Sequence, residues 1–174
     1  MALTKLNVAR GVTGTLPTSN YTSGITMYDQ WRLDDDLTGT HTPIASNLER
    51  VDTATQSFIG SAMTQSSGIF TFPSTGIYLV KFLCVQNANS AEDYAAFAIL
   101  STTNNSSYTT IAQGYEGATT GYAFGSATIE STVDVTDTSN VKVRFDVTQA
   151  NTSNRLKGQS TKNRTTFTFI RLGD

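Results

Sequence analysis

Side chains able to do chemistry are few and scattered along this chain. His41 is the sole histidine among 174 residues and stands two positions before Pro43 in a polar stretch. A nucleophilic triad needs that imidazole beside a serine on a tight glycine-flanked elbow, and no such serine lies near it in the sequence. A solvated loop histidine is expected, and no catalytic residue is assigned. Asp34, Asp35 and Asp36, followed by Gly39, form the densest acidic cluster. Consecutive side chains of an extended segment point alternately, so one calcium ion would meet two of these carboxylates at most. The spacing also lacks the pattern of a helix-loop-helix calcium site. These three aspartates are therefore weak calcium candidates, and a solvated turn is favoured. Cys84, the one cysteine, excludes an intrachain disulfide and a multi-cysteine zinc site. Set in an apolar run, it reads as a small core residue. No cofactor and no enzymatic activity are expected.

Arg155, Lys157, Lys162 and Arg164 form a basic stretch without an intervening acid. The plain reading is a surface loop; the functional one is contact with an acidic protein surface or an anionic cell-surface glycan. Tyr108, Tyr115 and Tyr122, in Gly/Thr-rich surroundings, have rings that can stack on sugars or pack halfway into a surface. The formal charge of −2, with 15% charged residues, gives no field that would hold nucleic acid or an anionic membrane by counterion release. No apolar run reaches the ~18 residues of a membrane helix, and the start lacks the apolar block of a signal peptide. Assembly in a cytoplasm is expected.

The elements that must carry these groups read as strands. Residues 68–82 join two apolar runs through Pro73-Ser74-Thr75-Gly76, where proline fixes φ and glycine accepts angles that other residues resist. The second run is apolar on both sides, Ile77, Leu79, Leu83 and Val85 on one and Tyr78, Val80, Phe82 and Cys84 on the other. That pattern predicts a strand covered twice. From Ile25 a period of two places Ile25, Met27, Trp31 and Leu33 on one face and Thr26, Tyr28, Gln30 and Arg32 on the other, with Asp29 as the misfit. Leu48 to Thr53 gives a short strand, and Phe58, Ile59 and Met63 an apolar patch. Tyr94 to Leu100 is rich in alanine, yet seven residues bounded by polar turns predict a strand. Further strands fall at Tyr108–Tyr115, Tyr122–Val135, Val141–Thr148 and Thr165–Leu172, with a turn at Asp137–Asn140 before the clearest alternation. In the second of these, Ala127, Ile129, Val133 and Val135 face inward and Thr128, Glu130, Thr132 and Asp134 face water. Roughly eight to ten short strands without an amphipathic helix predict an all-β fold of two packed antiparallel sheets. Residues 1–24 hold only isolated aliphatics, Leu3, Leu6, Val8, Val12 and Leu16, among Gly, Pro, Thr and Ser. They read as an extended anchoring arm ahead of a domain over residues 25–174.

The order Gly68, Phe70, Thr71, Pro73, Gly76, Tyr78, Phe82 resembles the signature of the complement first-component q and tumour-necrosis-factor superfamily. Ala127–Val147 is similar to the paired late strands of that family, and Phe167-Thr168-Phe169-Ile170-Arg171-Leu172 to its aromatic last strand. Two departures stand out: Trp31-Arg32-Leu33 replaces the early phenylalanines, and no collagen-like stalk precedes the domain. The resemblance implies a jelly roll and a compact homotrimer, with Tyr78, Tyr94, Phe97, Tyr115, Phe167 and Phe169 as candidates for its threefold contact. Met1-Ala2-Leu3-Thr4-Lys5-Leu6 resembles the start of structural proteins of marine bacteriophages. That implies a virion protein: a capsid decoration, cement or head-fibre trimer docked on the phage capsid through its arm, or a tail-fibre domain that recognises a host glycan or protein through loops 101–121 and 150–164.

Overall fold

The computed structural model describes residues 24–88, 94–117 and 124–174. The expected arm, with Leu3, Leu6, Val8, Val12 and Leu16, lies outside the described residues. Twelve strands make up the rest: β1 (Tyr28–Leu33), β2 (Leu37–Thr38), β3 (Leu48–Arg50), β4 (Thr64–Ser66), β5 (Ile69–Thr71), β6 (Gly76–Asn87), β7 (Tyr94–Thr102), β8 (Thr109–Gly117), β9 (Phe124–Val135), β10 (Lys142–Gln149), β11 (Arg155–Leu156) and β12 (Thr166–Gly173). Among the described residues no helix is long and apolar enough to cross a membrane.

The first sheet runs β2-β11-β6-β12-β1-β3, and β9 pairs with the other flank of β6 along all twelve of its residues. The second runs β4-β5-β10-β7-β8. All pairings are antiparallel, and the alanine-rich β7 is a strand as its length predicts. Between β5 and β6 the chain turns at Pro73–Gly76. Gly76 adopts φ +130°, and a Cβ there would stand 2.5 Å from the Gly173 carbonyl oxygen. Tyr78 closes the same turn by donating its hydroxyl to the Ser74 carbonyl at 3.0 Å.

The core between the sheets is aromatic. Phe145 and Phe167 have ring centroids 4.6 Å apart, Phe82 and Phe167 5.1 Å, and Phe70 and Phe169 5.1 Å. Tyr78, Phe97, Phe167 and Phe169 are fully buried in this core within one chain. The expectation that these four line a threefold contact is corrected: their side chains fill the space between the two sheets and reach no outer surface. Cys84 lies in the same core, where burial, with a smaller contribution from the Glu116 charge, pushes its thiol up to about 12.

Two strands depart from their sequence pattern. In β1, Asp29 is fully buried alongside Met27, Trp31 and Leu33, whereas Ile25 is exposed. The alternation was intact; the buried carboxylate is tolerated because it is fully engaged. It accepts hydrogen bonds from Trp31 Nε1 (3.1 Å) and the Met63 amide (2.9 Å) and pairs with Arg50 Nε (3.1 Å). In β6, Tyr78, Val80, Phe82 and Cys84 are buried as expected, but Ile77, Leu79, Leu83 and Val85 stay partly exposed. A single chain covers one of the two apolar faces.

Candidate interaction surface

The uncovered face of β6 belongs to the outward face of the first sheet, and strand register fixes its contents, because cross-strand partners point the same way. One row reads Ile59, Tyr28, Ile170, Leu79 and Thr132. The next reads Gln30, Thr168, Lys81 and Glu130, tied by Gln30 Nε2 to Thr168 Oγ1 at 2.8 Å and by a Lys81–Glu130 pair at 3.2 Å. A third holds Glu49, Arg32, Thr166, Leu83 and Thr128. A shallow depression lined by Leu83, Ile170, Thr166 and Thr168 opens among these rows. The face is thus aliphatic and hydroxyl-bearing, with Lys81 paired to Glu130 and Arg32 to Glu49.

Arg32, expected to face outward, does so but is fully buried. The segment after β3 folds over it: Arg32 donates to Glu49 Oε2 (3.0 Å), Asp52 Oδ1 (2.7 Å), Thr53 Oγ1 (3.0 Å) and Gln56 Oε1 (3.1 Å). With Asp29 holding Arg50 on the opposite face of β1, two charge clusters pin residues 48–63 to the sheet. Sequence reading missed both, since their partners lie 17 to 34 positions away.

The remaining candidates separate. Tyr94 and Tyr115 are exposed, on the outward face of the second sheet, where Tyr115 pairs with Ala96 two positions beyond Tyr94. Tyr108 is held under the Arg144 guanidinium, 4.7 Å from its ring centroid, so it packs on its own chain; Tyr122 lies outside the described residues. Phe124, which sequence reading did not single out, is the most exposed large apolar side chain among the described residues, at 71%. Two members of the aspartate cluster are engaged by their own chain. Asp36 accepts the Gly158 amide at 3.0 Å and forms an ion pair with Lys157. Burial alone would raise its carboxyl; the Lys157 ammonium and the Gly158 amide outweigh that and hold it below the usual carboxylate range. Asp35 accepts the Asp36 amide at 2.7 Å. Among the described residues no three His, Cys, Asp or Glu side chains gather as metal donors. Of the basic stretch, Lys157 is thus paired, whereas Arg155 and Lys162 are exposed and Arg164 is half-buried. His41 is held by a contact of Nε2 with the Thr38 carbonyl at 3.1 Å and by backbone pairing with Val147.

No family model and no curated protein matches the chain. Solved structures do. Murine APRIL at pH 5.0 superposes with a TM-score of 0.61 at 12% identity, over 84% of this chain and 98% of that one. Eiger TNF from S. frugiperda superposes with a TM-score of 0.63 at 11% identity, over 87% of this chain and 95% of that one. At such identities the likeness speaks to architecture, and the chain folds as an all-β jelly roll of the tumour-necrosis-factor type.

Proposed function

We propose that this chain is a non-enzymatic virion structural protein: a homotrimer, closed through the rows around Leu79 and Leu83 on the outward face of the first sheet, that decorates or reinforces a phage capsid and docks through residues 1–24. One observation carries the trimer. β6 is apolar on both sides, and its own chain covers one of them, leaving Leu79 and Leu83 beside Ile170 partly in water. Burying a leucine side chain of this kind is worth about 1.5–3 kcal/mol, so a second copy is the natural cover. The homotrimers implied by the family resemblance supply the stoichiometry, and the resemblance of the leading residues to phage structural proteins supplies the virion. Light scattering on the purified protein should report about three chains per particle. Leu79→Asp should yield monomers that retain a β-type circular dichroism spectrum. A wild-type protein that runs as a monomer defeats this reading.

A second reading, recognition of a host surface, draws on Tyr94, Tyr115 and Phe124, large rings left exposed on the molecule. Binding to whole host cells by the purified protein separates it from a purely architectural role.

A further inference from the structure

The geometry points to a binding cleft for an anionic saccharide at the far end of β6, formed by Phe124, Val85, Lys157 and Arg164 with Arg155 at its rim. This deepens the surface-recognition reading and rests on it for its purpose; the cleft itself is argued from register and charge.

At its last residues β6 is flanked by β9 on one side and β11 on the other. Asn87 stands between Phe124 and Arg155, and Val85 stands beside Ser126 and accepts the Lys157 amide at 2.8 Å. Partners in register share a face, so two adjacent rows, Arg155-Asn87-Phe124 and Lys157-Val85-Ser126, project outward together. Phe124, Val85, Lys157 and Arg164 enclose a cleft of about 500 Å³, within the roughly 300–1,000 Å³ typical of small-ligand sites.

The charges are unbalanced. Lys157 is paired with Asp36, and Asp36 also feels the Arg164 charge. Arg155 and Arg164 form no ion pair among the described residues. Glu130, the acid on the outward face of β9 nearest to this end, is taken by Lys81. Among the described residues, Lys157, Arg164 and Arg155 thus gather around an exposed phenyl ring with Asp36 as the paired carboxylate. A pyranose carrying a carboxylate or sulfate fits this set. Its C–H face lies on the ring of Phe124, the guanidinium of Arg164 forks onto the acid group, and Ser126 and Asn87 border the sugar hydroxyls. A nucleic-acid strand is disfavoured because its affinity grows with a track of phosphate contacts, and the chain carries −2 overall.

The test is calorimetric titration of the full-length protein at low salt with three probes: an oligogalacturonate, a sulfated galactan oligosaccharide and a neutral galactan oligosaccharide. At least one anionic probe should bind about tenfold or more tighter than the neutral one, and added salt should weaken it. The relative strength of the two anionic probes tells carboxylate from sulfate. Arg164→Gln and Phe124→Ser, both at the surface and checked for an unchanged circular dichroism spectrum, should each cost about tenfold or more in affinity. Equal or absent binding of the anionic probes overturns the site, as does full affinity in Arg164→Gln or tighter binding of a single-stranded oligonucleotide. If either substitution instead dissociates the oligomer while no saccharide binds, the cleft is a contact between copies and the proposal fails. Host-cell binding that persists in variants with no saccharide affinity upholds the site and shows that surface recognition runs through another part of the molecule. Saccharide binding without any cell binding upholds the site and removes surface recognition.

Discussion

A carboxylate with no exposure is expensive unless every lone pair is used, and Asp29 shows the balance at the scale of one residue. Its oxygens take the Trp31 indole, the Met63 amide and the Arg50 guanidinium. Asp29→Ala strands all three donors and should cost about 3 kcal/mol or more, read as a drop in urea midpoint; Asp29→Asn, which keeps one acceptor, should cost less. Asp36 gives a weaker, pH-dependent counterpart. Its folded carboxyl lies below the ordinary value, so its contribution is complete above the unfolded pKa of about 3.9 and is lost as pH falls through the lower folded value. Acid titration of unfolding should show this loss below about pH 4 in the wild type and not in Asp36→Asn. Because the pair is only partly buried and still touches water, the difference at neutral pH should be about 1 kcal/mol. Cys84, with its thiol pushed up to about 12, should resist thiol reagents at pH 8 in the folded protein and react at once in denaturant. Fast reaction of the native protein would show that the core around it opens.

At the scale of elements, local rules carried well where a segment's fate depends on its own residues. Pro73–Gly76 is a turn, Val143, Phe145 and Val147 point inward, and β9 alternates as its sequence reads. They carried less well where the cover comes from elsewhere. The two apolar sides of β6 predict two layers, and no pattern within the strand says that the second layer is absent from the same chain. Asp29 breaks the apolar periodicity of β1, and its register can be kept only by knowing that Arg50 and Met63 arrive from 21 and 34 residues away. Four of the aromatic residues expected at a threefold contact, Tyr78, Phe97, Phe167 and Phe169, are buried for the same reason: Phe and Tyr content marks a contact between layers without telling an intramolecular layer from an intermolecular one. Gly68, the first residue of the signature, holds its place for a steric reason that can be tested. It sits at φ +80°, and a Cβ would lie 2.2 Å from the Ile44 carbonyl oxygen. Gly68→Ala should destabilise by about 1–3 kcal/mol or more, since backbone strain and a backbone clash add; thermal unfolding is the measurement.

At the scale of the molecule, the proposed attachment raises the question of how a small, weakly charged jelly roll would hold on to something larger. The cleft at the end of β6 was invisible in sequence because Arg155, Asn87 and Phe124 come from three strands and meet only through pairing. The leader is the opposite case: its scattered aliphatics are plain in the sequence and gain meaning only through copy number. If three leaders extend from one trimer, each weak contact with a shell raises the local concentration of the next, and the attachment dissociates far more slowly than any one arm. Removing residues 1–24 should then leave trimers intact by light scattering and their melting temperature nearly unchanged, while incorporation into particles falls by a factor of about a hundred or more. Mixed trimers with one or two leaders should fall steeply between these limits. Graded, proportional loss would mean that the arms act singly, and normal incorporation of the shortened chain would move the anchor to the folded domain itself.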